Sequence, residues 1–186
     1  SAILCEALGA DYWKPVQAGL PRDADTVRAL VSNSKIKVHP ETHLLKTPAS
    51  PHAAAKIDGI KIKLADFHIP VTENNLIIEG AGGCMVPLND QNFVVDLIDA
   101  LKTNAILVAD LYLGSINHTL LTIEALQKRN ITVAGIIFNG DSNPESERII
   151  SKHSGLKNLL HIKREKHIDR SVITRYAELI KTNWNG

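Results

Sequence analysis

Apolar residues fall into short unbroken runs, and stretches with a helical period lie between them. Leu76-Ile77-Ile78-Glu79, Ala105-Ile106-Leu107-Val108-Ala109-Asp110 and Thr132-Val133-Ala134-Gly135-Ile136-Ile137-Phe138 are apolar at nearly every position. Runs apolar throughout, rather than at alternate positions, suit strands buried on both faces. Residues 11–16 read as a further short strand. The spacing predicts helices over 24–31, 93–102, 116–129, 144–152 and 170–181. In 116–129, Ile116, Leu120, Ile123 and Leu126 share a face, while Glu124, Lys128 and Arg129 lie off it. Residues 1–8 also have a helical pattern, without a start signal. This alternation predicts an α/β domain: a doubly wound, mostly parallel sheet with helices on both faces.

Length and composition narrow the picture. The 186 residues fit one domain, large enough for a core without disulfides or structural metal. A net charge of +1 gives no electrostatic footprint for nucleic acid or an anionic membrane surface, so neither is an expected partner. Cys5 and Cys84 match no metal-ligand spacing and are expected as free buried thiols in a reducing compartment. No apolar run reaches the roughly 18 residues of a membrane span. The first residues lack the basic region of a signal peptide, so the expected location is cytoplasmic.

Candidate chemistry gathers after the strands, where open parallel sheets bind ligands. Lys14 precedes Pro15, which holds it extended, and an ammonium there suits a phosphate or carbamate. Glu79 ends one run and precedes Gly80-Ala81-Gly82-Gly83, a carboxylate for Mg2+ beside backbone N–H groups for an anion. Asp23-Ala24-Asp25 opens a helix, where an aspartate can cap it or face the site; Asp25 is the expected site residue. Gly114-Ser115 opens another helix, with Ser115 as its expected cap and free N–H groups suited to a carboxylate. Asn139-Gly140 follows a strand, and an amide that donates and accepts suits an adenine edge. The histidines form no metal-ligand set, although His52 and His118 fall in candidate site loops.

Four segments carry a resemblance. Tyr12-Trp13-Lys14-Pro15-Val16-Gln17-Ala18-Gly19, Thr47-Pro48-Ala49-Ser50-Pro51-His52, Leu76-Ile77-Ile78-Glu79-Gly80-Ala81-Gly82-Gly83 and Leu113-Gly114-Ser115-Ile116-Asn117-His118-Thr119 resemble, in order, motifs of the dethiobiotin synthetases. The resemblance runs from about residue 10 to 140, and 141–186 match only loosely. It implies a P-loop NTPase-like fold and closure of a ureido ring on 7,8-diaminopelargonic acid, using CO2, ATP and Mg2+. It implies Lys14 beside the transferring phosphate and Asp25 and Glu79 on Mg2+. Asp25, Glu79, Gly80, Ala81, Gly82, Asn139 and Gly140 would face ATP. Ala18, Ser50, Gly114, Ser115 and Asn117 would face the diamino acid, the last three from the second subunit of a homodimer.

Two departures stand out. Ala18 occupies a position where the family usually has serine or threonine. The family's glycine-rich lysine-threonine loop is not among these residues, so 1–186 read as one nucleotide-binding domain that opens in the helix after that loop, without the loop or its strand. Two rivals remain: a cobyrinic acid amide-forming synthetase, and a degenerate partitioning-ATPase relative that only binds a partner. The lysine-proline-valine and serine-proline-histidine segments oppose the first. The joint presence of Lys14, Asp25 and Glu79 opposes the second.

Overall fold

The computed structural model describes residues 1–184. The chain opens with α1 (Ala2–Leu8), β1 (Asp11–Trp13), β2 (Val16–Ala18), α2 (Asp23–Leu30), β3 (Val38–His39) and β4 (His43–Leu45). It continues through α3 (Pro51–Asp58), a 3-10 turn (Leu64–Asp66), β5 (Leu76–Ile78), α4 (Val94–Ala100) and β6 (Ala105–Asp110). It ends with α5 (Ser115–Gln127), β7 (Val133–Asn139), α6 (Pro144–Ser154), β8 (Asn158–Ile162) and α7 (Arg170–Asn183).

Every pairing between these strands is parallel. The orders are β3-β1-β5 and β6-β7-β8, with β2-β4 as a separate ribbon. Alternate residues of one strand feed opposite cores, as the period of two requires. Tyr12 packs with Ala2, Cys5, Ala24 and Val27 on the α1/α2 side. Trp13 packs with Ala54, Ala55, Val94 and Leu97 on the α3/α4 side. In β7, Ile137 meets Leu4, Tyr176 and Ile180, while Ile136 and Phe138 meet Ile123 and Ile150. Helices therefore cover both faces, the predicted α/β architecture.

Three differences from the sequence reading matter. The strand expected over 11–16 is two strands. Pro15 has no N–H to continue the ladder, and after it the chain pairs with β4 instead of β3. Strands β3, β4 and β8 and helix α3 are unanticipated; β3 and β4 are too short to show a period. Cys5 is buried but Cys84 only half-buried. Burial pushes the Cys5 thiol up to about 12, so it is no nucleophile at neutral pH.

Among the described residues, β5 and β6 each leave one edge unpaired. Ile77 of β5 and Ile106 of β6 pack against the same core, and Val108 of β6 is 58% exposed in a run whose pattern predicted burial. No described helix is long and apolar enough to cross a membrane.

Candidate active site

Pro15 turns the chain away from β1, and Lys14 is left at the carboxyl end of the strand with its side chain almost fully buried. Its Nζ lies 2.5 Å from Asp23 Oδ2 and 3.0 Å from Glu79 Oε1, with the Gly80 carbonyl at 3.5 Å. Glu79 follows β5 and is tied to β1 by its N–H, which donates to the Trp13 carbonyl at 2.9 Å. Its other oxygen accepts from the Tyr12 hydroxyl at 3.1 Å and from the Ser1 hydroxyl at the head of α1.

Electrostatics fix the charge states of this pair. Burial by itself would lower the Lys14 pKa, but the Asp23 and Glu79 carboxylates outweigh it and raise the pKa. Burial likewise opposes ionisation of Glu79, yet the Ser1 hydrogen bond and the Lys14 charge hold its carboxyl below the usual range. Tyr12 is pushed up by burial and then by Glu79, so its phenol keeps its proton. Lys14 is therefore a fixed positive charge, not a base.

Of Asp23-Ala24-Asp25, the structure brings Asp23 to Lys14, not the expected Asp25. Residues two apart on a helix point about 200° apart. The Asp25 carboxylate turns outward and is held by Arg22 at 2.7 and 2.9 Å and by Arg28 at 3.3 Å. Asp23 is positioned by Gln17, a buried residue whose Oε1 accepts from the Asp23 N–H at 3.0 Å and whose Nε2 donates to the Gly19 carbonyl at 3.1 Å. Gln17 thus caps α2 from a neighbouring strand, since Arg22 at the N-cap makes no side-chain cap bond. Two carboxylates on one ammonium are too few to cage a cation by themselves, and no larger His/Cys/Asp/Glu cluster occurs among the described residues. That number suits Mg2+, which keeps waters and takes oxygens from a bound phosphate.

Lys14 and Asp23 open onto a cavity of about 270 Å3 lined also by Gln17, Ala18, Ser50, Ala81 and Gly82. Gly19 packs so closely on Pro48 that a Cβ would sit 2.7 Å from the proline Cβ, which holds the lysine-proline-valine segment against the serine-proline-histidine loop. Gly82 has φ 83°, and a Cβ there would meet Val86 at 2.9 Å, so only glycine fits the turn beside Lys14. Ser50 is the N-cap of α3 and lies 3.1 Å from His52 Nδ1.

The chain is similar to known proteins. A family model described as an AAA domain matches residues 1–172. An ATP-dependent dethiobiotin synthetase from Cytophaga hutchinsonii is 55% identical over 186 residues, 99% of this chain and 90% of the relative. Those of Christiangramia forsetii and Brucella ovis are 50% and 47% identical, over 96% and 86% of this chain and 86% and 76% of theirs. The chain belongs to the dethiobiotin synthetase family.

The residues carrying the dethiobiotin synthetase resemblance do not all meet. Lys14, Ala18, Ser50, Ala81 and Gly82 line one cavity, with Glu79 on Lys14 and Gly80 next to it. In this dethiobiotin synthetase chain Gln17 is committed to Asp23 and Gly19, and Ser50 brings a hydroxyl to the cavity that Ala18 lines. Asn139 and Gly140 lie at the end of β7, beside Asp110. A second cavity, of about 260 Å3, lies between α1 and α2 beside Glu79, and Gly114, Ser115 and Asn117 line neither. Gly114, at φ 103°, is the N-cap of α5; Ser115, expected there, is its buried first residue and makes no cap bond.

Proposed function

We propose that the protein is an ATP-dependent dethiobiotin synthetase of biotin biosynthesis, in which Lys14, Asp23 and Glu79 form the charged centre. The observation that carries this reading is the Lys14 Nζ held between two carboxylates at the mouth of a cavity built from the family's motifs. One amine of 7,8-diaminopelargonic acid takes up CO2 as a carbamate. A carbamate oxygen attacks the γ-phosphate of ATP and ADP leaves. The second amine then attacks the carbamic-phosphoric anhydride, closing the ring and releasing phosphate.

Catalysis of this kind is mainly positioning and charge neutralisation. Lys14 keeps its proton, so it offsets negative charge on the carbamate and the transferring phosphoryl group. Asp23 and Glu79 would hold Mg2+, whose charge screens the ATP phosphates; Asp23 replaces Asp25 in that role because Asp25 is turned to Arg22 and Arg28. Backbone N–H groups of Gly80, Ala81 and Gly82 face the anion, and Ser50 and Ala18 face the diamine. Asn139 and Gly140 receive the adenine.

The unpaired edges of β5 and β6, with Ser1 touching Glu79, support a further parallel strand between them. Its glycine-rich loop would lead into α1 at the phosphates. A second copy of the chain completes the substrate site. The surface around the α5 start supports this: Leu113 is fully exposed, Tyr112 and Leu121 are half-exposed and Ile116 is partly so, beside the helix N–H groups expected to take the substrate carboxylate.

The test supplies the complete protein with the diamino acid, bicarbonate and Mg-ATP. Ring product and ADP are expected in equal amounts. Lys14→Ala is expected to lose about 10²–10³-fold in kcat. Unchanged turnover in that variant removes Lys14 from the mechanism.

A further inference from the structure

Asp110 ends β6 and Asn139 ends β7, paired in register across the parallel ladder. The Asn139 Nδ2 donates to Asp110 Oδ1 at 2.9 Å. The backbone around Asn139 is fixed from both sides. Its carbonyl accepts from the Leu111 N–H at 2.8 Å, and the next residue, Gly140, donates to the Ile162 carbonyl at 2.9 Å. The Gly140 carbonyl meets His161 Nε2 at 2.9 Å. With the main chain held, what the Asn139 side chain presents depends on which way its amide is turned.

A carboxylate only accepts hydrogen bonds, so Asp110 settles that orientation chemically: the NH2 group must face it and the carbonyl oxygen must face away. An asparagine without such a neighbour can turn over and offer either end. We propose that Asp110 is a specificity-determining positioning residue. It holds the Asn139 carbonyl toward the nucleotide base as an acceptor, and so selects bases that carry an exocyclic amine over those that carry a carbonyl there. The proposal rests on the reading that Asn139 meets the base. An amine at the 6-position of adenine donates to the fixed oxygen. The 6-oxo group of hypoxanthine or guanine meets it acceptor to acceptor, and Asn139 cannot turn to relieve the clash without setting its own oxygen against Asp110.

ATP and ITP differ at the purine 6-position and its neighbouring N1 proton, which makes them the probe pair. Dissociation constants of Mg-ATP and Mg-ITP are measured by calorimetry, with KM and kcat for each, in the complete protein and in Asp110→Ala, Asn139→Ala and the double variant. The native protein is expected to prefer ATP by about tenfold or more, the scale of one unsatisfied polar group. Asp110→Ala is expected to cut that preference at least about fivefold by improving ITP binding, with the change in KM and not in the ratio of kcat values. In the Asn139→Ala background, Asp110→Ala should have no further effect on the preference. An equal weakening of both nucleotides, an unchanged preference, or an Asp110 effect that persists without Asn139 overturns the proposal. The binding arm gives its answer even if no ring product forms, an outcome that would instead overturn the synthetase reading.

Discussion

Asp23→Asn and Asp25→Asn, made separately, distinguish two aspartates of one helical turn. Asp23 and Glu79 bring two negative charges to the single positive charge of Lys14, so the pocket is net negative before any cation arrives. The amide at position 23 makes it net neutral. A unit charge at about 4 Å is worth about 4 kcal/mol per charge at an effective dielectric of about 20. The second charge of Mg2+ doubles that, but the ion keeps waters and the Asp23 side chain is 46% exposed, and screening by that much solvent leaves roughly 2 kcal/mol. That corresponds to roughly a 30-fold rise in the Mg2+ concentration needed for half-maximal rate. The Asp25 carboxylate pairs with Arg22 and Arg28 on the surface, so its variant should keep the native Mg2+ requirement. The assay is initial rate of ring formation against Mg2+ at saturating ATP and diamino acid, with thermal midpoints to check folding. A larger Mg2+ shift in Asp25→Asn than in Asp23→Asn would refute the assignment of Asp23.

Acid stability and subunit contact provide two further tests. Asp11 is fully buried and accepts from the Lys37 N–H, Asn74, Thr72 and His39, with burial opposing and these donors outweighing it, so its carboxyl falls to about 2. The folded pKa lies below the unfolded one, so the stabilisation is complete above about pH 4 and is lost as pH falls toward 2. Denaturation midpoints between pH 4 and 2 should therefore fall more steeply in the native protein than in Asp11→Asn. Leu113→Asp should convert a dimer to monomer by sedimentation and raise the KM for the diamino acid more than that for ATP. A variant that stays dimeric with native kinetics would put the interface elsewhere.

Much of the site was legible before the fold. Lys14 and Glu79 follow apolar runs, and in a parallel sheet strand ends share one edge, so periodicity alone predicted their meeting. The glycines after Glu79 were readable for the same reason. The choice between Asp23 and Asp25 was not legible. Both open the same helix, and only its rotation relative to β1 decides which carboxylate faces Lys14. Asp110 was legible only as a polar strand end and Gln17 only as a neighbour of Ala18, because their parts as partner of Asn139 and cap of α2 join residues that only packing brings together.

The sequence by itself determined the class of architecture, the family, the longer strands and helices that alternate along the chain, and the strand ends where chemistry collects. These follow from local periodicity and short motifs, which one stretch of chain carries alone. Tertiary structure alone decided that residues 11–16 break into two strands with different partners, that Asp23 and not Asp25 contacts Lys14, and that Gly114 rather than Ser115 is the N-cap of α5. Each of those outcomes depends on the angle at which one element meets another, a quantity set by side-chain packing across long sequence separations and absent from any local pattern.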